Sequence, residues 1–162
     1  MIPLSPTLIF ELALHGGCVV PDGCGLSFQV RWAIMSLCRP RRILGLGASL
    51  HDVEAIRQAA PGTGLTTVPG VLAALPPAAW MTRILEPGFF DMVLVNVAGC
   101  GCRQALGHAY WAVESSGFIL ACGYDEDPGT RRAVDDFLIA APLPHIYCCT
   151  PAGEIIINVH KK

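Results

Sequence analysis

A chain of 162 residues, 52% apolar and only 15% charged, is long enough to bury a sizeable core in one domain. Its formal charge of −2, with no basic cluster beyond Arg39, Arg41 and Arg42, excludes an electrostatic case for nucleic acid. The longest uncharged run, Gln58 to Thr82, contains Pro61, Pro69, Pro76 and Pro77, which break any membrane-spanning helix.

In chain order, Ser5-Pro6 reads as a helix start, and a first helix runs to about Leu14 before Gly16-Gly17. The opening residues lack the basic region of a secretory leader and carry Glu11 within their apolar part, so a cytoplasmic protein is expected. Leu26 to Cys38 is a second amphipathic helix, stopped before Pro40. Arg39, Arg41 and Arg42 then read as a solvated helix-to-strand turn. Ile43 to Leu46 is the first strand and runs into the glycine turn ILGLGAS. Ser49 can cap the helix that follows, with Asp52 and Glu54 in its first turns favouring the positive helix end.

Leu65 to Val68 is a short strand closed by Pro69-Gly70. Between Val71 and Gly88 the text predicts one or two short helices, with Trp80, Ile84 and Leu85 packing inward. FDMVLVNV, Phe90 to Val97, is a nearly unbroken apolar run, the pattern of a strand buried on both faces. A helix over Cys102 to Glu114 and a buried strand over Gly117 to Cys122 follow. Asp127-Pro128 starts a helix that continues to Ala141. HIYCC and EIIINV, joined by TPAG, read as an antiparallel hairpin.

Strands and helices alternate until that hairpin. The expected fold is therefore α/β and Rossmann-like: a doubly wound, mostly parallel sheet with helices on both faces and a C-terminal antiparallel β-hairpin. No repeat or linker divides it, so residues 1–162 form one domain. Residues 1–40 supply N-terminal helices, 41–142 the βα core and 143–162 the hairpin. The apolar excess points to a self-association face and hence a homo-oligomer.

Eight cysteines form no C-x-x-C pair and no zinc spacing, so they read as reduced core thiols and no metal is expected. Cys100 and Cys102, in the segment after FDMVLVNV, are the pair to test for reactivity. His51 follows the glycine turn and reads as a surface residue of the helix's first turn. His108, near Tyr110 and Trp111, reads as packing. His15, His145 and His160 have no partner that sequence can name.

In open α/β sheets a ligand lies beyond the carboxyl ends of the strands. At those ends stand Gly45 to Ser49, Val68 to Gly70, Asn96 to Cys102 and Gly123 to Asp127. The order of elements, the ILGLGAS turn, FDMVLVN, GFILACGYD and the closing hairpin resemble a class I S-adenosylmethionine-dependent methyltransferase. The segment DEDPGTRRAVDDFL resembles a small-molecule subgroup of that family, through Pro128, Gly129, Ala133, Val134, Asp135 and Phe137. The resemblance covers roughly Leu26 to Val159.

That resemblance implies methyl transfer to a small molecule, with S-adenosylmethionine as cofactor. It implies cofactor contacts from Gly45, Gly47, Ala48, Ser49 and Asn96, and leaves Asp125 as the candidate catalytic acid. The departures are specific. Gly45 stands where the family has an acidic residue, and Ser49 where it has a second glycine. Val68-Pro69-Gly70 carries no acid for the ribose, Asn96-Val97-Ala98-Gly99 replaces Asp-Gly-Asp-His, and Tyr124 replaces a histidine. A second reading is a non-catalytic relative that keeps the fold as a binding or assembly partner. A third is a nicotinamide-binding Rossmann domain, favoured by Gly45-x-Gly47 but with Leu50 at the third glycine position.

Overall fold

Buried β-branched and leucine side chains on both faces drive Arg42–Leu46 into the centre of a sheet as β1. The structure, a computed structural model, describes residues 40–59, 61–75, 87–141, 146–149 and 154–159. The two N-terminal helices expected before Pro40, the contacts of Trp80, Ile84 and Leu85, and the TPAG turn lie outside the described residues.

From β1 the chain enters α1 (Leu50–Ala59), β2 (Gly64–Val68) and the single turn α2 (Gly70–Ala73). It resumes with β3 (Phe90–Val95), α3 (Gly101–Ala112), β4 (Val113–Ala121) and α4 (Pro128–Ala140), and closes with β5 (Ile146–Cys149) and β6 (Ile155–Asn158). The strands form one six-stranded sheet in the order β2-β1-β3-β4-β6-β5. The pairs β1–β2, β1–β3 and β3–β4 are parallel, and β6 is antiparallel to both β4 and β5. The Rossmann-like sheet and its closing hairpin are therefore present as the alternation of elements predicted.

Side chains alternate across each strand, so the sheet has two buried faces. One carries Leu44, Leu46, Val93, Val95, Ile119, Ala121, Ile155 and Ile157, and packs on Cys102, Ala105, Leu106 and Ala109 of α3 and on Ala133 and Val134 of α4. The other carries Ile43, Met92, Leu94, Leu120 and Ile156, and meets Ile56 of α1. Helices thus cover both faces, the doubly wound arrangement.

β3 ends at Val95 rather than Val97, and the junction of α3 with β4 departs furthest from the sequence expectation. α3 ends at Ala112 rather than Glu114, and β4 begins at once at Val113. The β3–β4 register shifts between Phe90 and Met92, Ser116 takes φ of 70°, and a Cβ on Gly117 would lie 2.6 Å from Val113 Cγ2. The early part of β4 is thus an irregular lead-in that only glycine closes. Asn158 secures it by donating from Nδ2 to the carbonyls of Ser116 (3.2 Å) and Gly117 (3.3 Å).

Asp91, read from sequence as one letter in an apolar strand, has a structural task. Its carboxylate accepts the backbone N–H of Arg41, and that of Arg42 at 3.2 Å. The Arg42 guanidinium stands 3.6 Å from Asp91 and 4.1 Å over the Phe89 ring. Arg42 is therefore tied to β3, not simply solvated.

Candidate functional site

The carboxyl ends of β1, β2 and β3 converge on the glycine turn. Gly47 has φ of +72°, and its N–H donates to the Val68 carbonyl at 2.8 Å. A Cβ there would fall on the Asn96 carbonyl oxygen and within 3.0 Å of Val97 Cγ2, so position 47 demands glycine for both conformation and space. Asn96 N–H donates to the Leu46 carbonyl at 2.9 Å. Gly70 faces Gly47, and a Cβ added to it would lie 3.7 Å from the Gly47 Cα. Two turns therefore meet glycine to glycine, leaving backbone at the floor of the site. Exposed Leu50 and Val71 belong to the two helices that leave these turns.

The residue that organises this corner is Asp52. It is 3% exposed, and its Oδ2 accepts from Ser49 N–H (2.9 Å), Ser49 Oγ–H (2.9 Å) and Asn96 Nδ2 (3.1 Å). Asp52 N–H in turn donates to Ser49 Oγ at 3.1 Å. Ser49 is therefore the helix cap that sequence predicted, in a reciprocal capping box. The acid of that box reaches across to β3. Sequence reasoning saw Asp52 only as a charge favourable to a helix end. The Ser-x-x-Asp spacing was the available signal, but nothing in it points to Asn96.

A second carboxylate serves the turn after β3. Asp127 caps α4, accepting Thr130 N–H at 2.8 Å and Thr130 Oγ1–H at 2.6 Å, and also accepts Gly99 N–H at 2.8 Å. These bonds, the Thr130 hydroxyl first, hold its pKa below the ordinary value. A Cβ on Gly129 would stand 3.0 Å from Gly99 Cα, so the turn and the helix start are in close contact. Asp127 was legible as a helix start but not as the anchor of a turn 28 residues earlier.

Asp125, the candidate catalytic acid, is exposed and pairs with Arg131 Nη2 at 2.7 Å. Arg131 also donates to the Tyr124 carbonyl at 3.2 Å and lies 5.3 Å from the Tyr124 ring centroid. Tyr124 Oη–H donates to Asp135 at 2.8 Å. Asp125, Glu126, Arg131, Arg132 and Asp136 line an open groove of about 400 Å³. Its charges belong to the loop after β4 and the first turns of α4, not to the glycine floor formed by Gly47 and Gly70.

Cys100 and Cys102 part company. Cys100 is exposed, whereas Cys102 is buried in α3, where burial first and the Asp127 charge second push its thiol up to about 11. His108 is 1% exposed and its Nε2 lies 2.8 Å from the Leu75 carbonyl. A carbonyl only accepts, so Nε2 carries the proton and ties the segment just after α2 to α3. Nothing is described of the His51 side chain or of His15, His145 and His160. Among the described residues, no three His, Cys, Asp or Glu side chains cluster to hold a metal ion, and no helix is long and apolar enough to cross a membrane.

Comparison of the sequence with protein-family profiles and with curated proteins finds no match. Comparison of the fold does. A Staphylococcus aureus structure described as a caffeoyl-CoA O-methyltransferase superposes with a TM-score of 0.64 at 10% identity, over 98% of this chain and 93% of its own. The Streptomyces achromogenes O-methyltransferase TomG, in complex with S-adenosylmethionine, gives 0.59 at 12% identity over 96% and 89%. A Bacillus cereus O-methyltransferase in complex with S-adenosylhomocysteine gives 0.53 at 13% identity over 99% and 93%. The fold is that of class I S-adenosylmethionine-dependent methyltransferases. All three of these structures are described as O-methyltransferases.

Proposed function

We propose that this protein binds S-adenosylmethionine at the glycine floor between β1, β2 and β3 and transfers its methyl group to a small molecule. The observation that carries the reading is the meeting of Gly47 and Gly70 at the carboxyl ends of adjacent strands, in a fold whose relatives are seen with that cofactor or its product. The residues fit such a group as a backbone-lined cradle, because Gly47 and Gly70 bring main chain without side chains of their own to the ends of adjacent strands. When bound, the cofactor supplies an electrophilic methyl: the acceptor's electron pair bonds to it while the carbon–sulfur pair stays on sulfur, leaving a neutral thioether.

This chain's own residues bind and align. Gly45 leaves room for the Ala48 methyl group, which a Cβ there would approach to 2.8 Å, and Gly47 lets the turn close on the Asn96 carbonyl, so that main chain lines the turn. Ser49 fixes the start of α1, and Asn96 brings a carboxamide to the rim. With glycine at position 45 and Pro69-Gly70 after β2, recognition rests on backbone, shape and amide contacts, without a strand-end carboxylate. Alignment of acceptor, methyl and leaving sulfur is the larger part of such a reaction. Asp125 is the nearest sequence match to a family acid, and its pairing with Arg131 suits it to the rim, where it would bind or orient the acceptor.

The acceptor is a small molecule, as in the Burkholderia thailandensis N1-methyltransferase structure that contains 1,6-didemethyltoxoflavin and matches this fold at 17% identity and a TM-score of 0.52. The protein acts in the cytoplasm as a homo-oligomer on this reading, in keeping with its apolar excess. Titration calorimetry with S-adenosylmethionine and S-adenosylhomocysteine tests the central claim. Saturable heat with a micromolar Kd is expected, and a flat titration up to millimolar ligand overturns it.

A further inference from the structure

We infer that Asp52 is the positioning residue of the cofactor turn, standing in for the acidic residue that position 45 lacks; the functional half of this inference rests on the cofactor reading above. The carboxylate comes from the first turn of α1 instead of the end of β1, and it is buried. One oxygen gathers a backbone N–H, a hydroxyl and a carboxamide from two different strand-end turns, with Asp52 and Asn96 44 residues apart in sequence. Hydrogen bonds to an ionised acceptor are the stronger kind, and three on one oxygen fix the spacing of the turns they join. Ser49 spends its N–H and its hydroxyl hydrogen inside the protein on this bond set, so it shapes the site by fixing the turn.

The same bond orients Asn96. An ionised carboxylate only accepts, so Asn96 must turn its nitrogen to Asp52, which directs its carboxamide oxygen away from Asp52. Asn96 is exposed at the rim. It therefore offers a ligand an acceptor, suited to a hydroxyl or amine donor, where the family pattern has a carboxylate. The neutral Asn96 and the buried Asp52 form a matched pair: two carboxylates about 3 Å apart would repel.

The test compares the full-length protein with Asp52→Ala, Asn96→Asp and the exchanged pair Asp52→Asn with Asn96→Asp. S-adenosylhomocysteine affinity is measured by calorimetry, and amide exchange at Ser49 and the Asn96 side-chain amide signals by NMR. Asp52→Ala and Asn96→Asp are each expected to weaken binding at least about tenfold, the scale of one lost charge-assisted bond. Ser49 exchange should accelerate while amides of Ile119 to Ala121 keep their protection. The exchanged pair, which restores a carboxylate–carboxamide bond with the roles reversed, should recover affinity to within about threefold. A role confined to stability would lower Tm in all three variants without rescue by the exchange, and that result overturns the inference. So does wild-type affinity and unchanged Ser49 exchange in Asp52→Ala. If the wild type binds no S-adenosylhomocysteine, the cofactor reading fails by itself. Ser49 exchange and the Asn96 signals then decide the positioning: both unchanged in Asp52→Ala refute it, and both altered in Asp52→Ala, with Ser49 exchange restored in the exchanged pair, sustain it.

Discussion

Gly47 is the residue with the least freedom to change. Its φ of +72° and the contact a Cβ would make with the Asn96 carbonyl act together, so Gly47→Ala is expected to cost about 1–3 kcal/mol from conformation alone, with the clash added. Urea denaturation followed by circular dichroism measures it, and an unchanged midpoint would show that the turn can move aside. The two neighbouring cysteines make a second residue-level contrast. In the folded protein Cys100 should be alkylated by iodoacetamide at pH 8, while Cys102, its thiol held to about 11 by burial, should stay protected until denaturant is added. Peptide mass spectrometry reads both sites in one sample. The sign for Cys102 is that of a raised pKa. Its contribution is fully present below the unfolded thiol's range near pH 9, and stability falls as pH rises above that because the unfolded chain ionises first.

At the scale of elements, side-chain caps do more than end helices. Asp127 starts α4 and at the same time fastens the turn after β3 through Gly99, much as Asp52 starts α1 and reaches Asn96. Both α1 and α4 are thereby indexed to the sheet at their N-termini, the ends that face the site. Thr130 is buried and both donates to Asp127 and accepts from Gly99 N–H at 3.2 Å. Thr130→Val, which keeps the shape and removes the hydroxyl, should lose about 1 kcal/mol and speed exchange of the Gly99 amide. The depressed pKa of Asp127 sets the pH dependence. Its stabilisation is present above the ordinary value of 3.8 and is lost as pH falls through the lower folded value. An acid titration monitored at Gly99 should therefore show the turn loosening only below that value. Loosening at pH 5 to 6 would contradict the clamp.

For the whole molecule, a ligand that binds only the folded chain stabilises it by mass action. S-adenosylhomocysteine at about 100 times its Kd should add about 2.7 kcal/mol, visible as a rise of several degrees in Tm. The glycine floor lies between parallel strands, so the gain should come with slower exchange in Leu44 to Leu46 and Val93 to Val95, not in the hairpin. Equal protection everywhere would indicate a general solvent effect. The sheet order also explains why the hairpin belongs to the core. β6 enters antiparallel beside β4 and buries Ile155, Ile156 and Ile157 across both faces.

The sequence by itself determined the alternation of elements and the depth of the central strands. Those follow from local signals: period-two and continuous apolar runs, Pro128 after Asp127, and glycine where φ must be positive. Ser49 was legible as a cap for the same reason, because its bonds lie within three residues. The tertiary structure alone decided which carboxylates matter. Asp52 and Asn96, Asp127 and Gly99, Asp91 and Arg41 are partners brought together by the order β2-β1-β3-β4, and no local spacing encodes a contact between residues 28 to 50 apart. It also separated Cys100 from Cys102, since one turn of backbone divides solvent from the face packed under α4. A missing acid at position 45 was visible in the sequence, but only the packing of α1 on the sheet brought Asp52 to the turn it left unsupported.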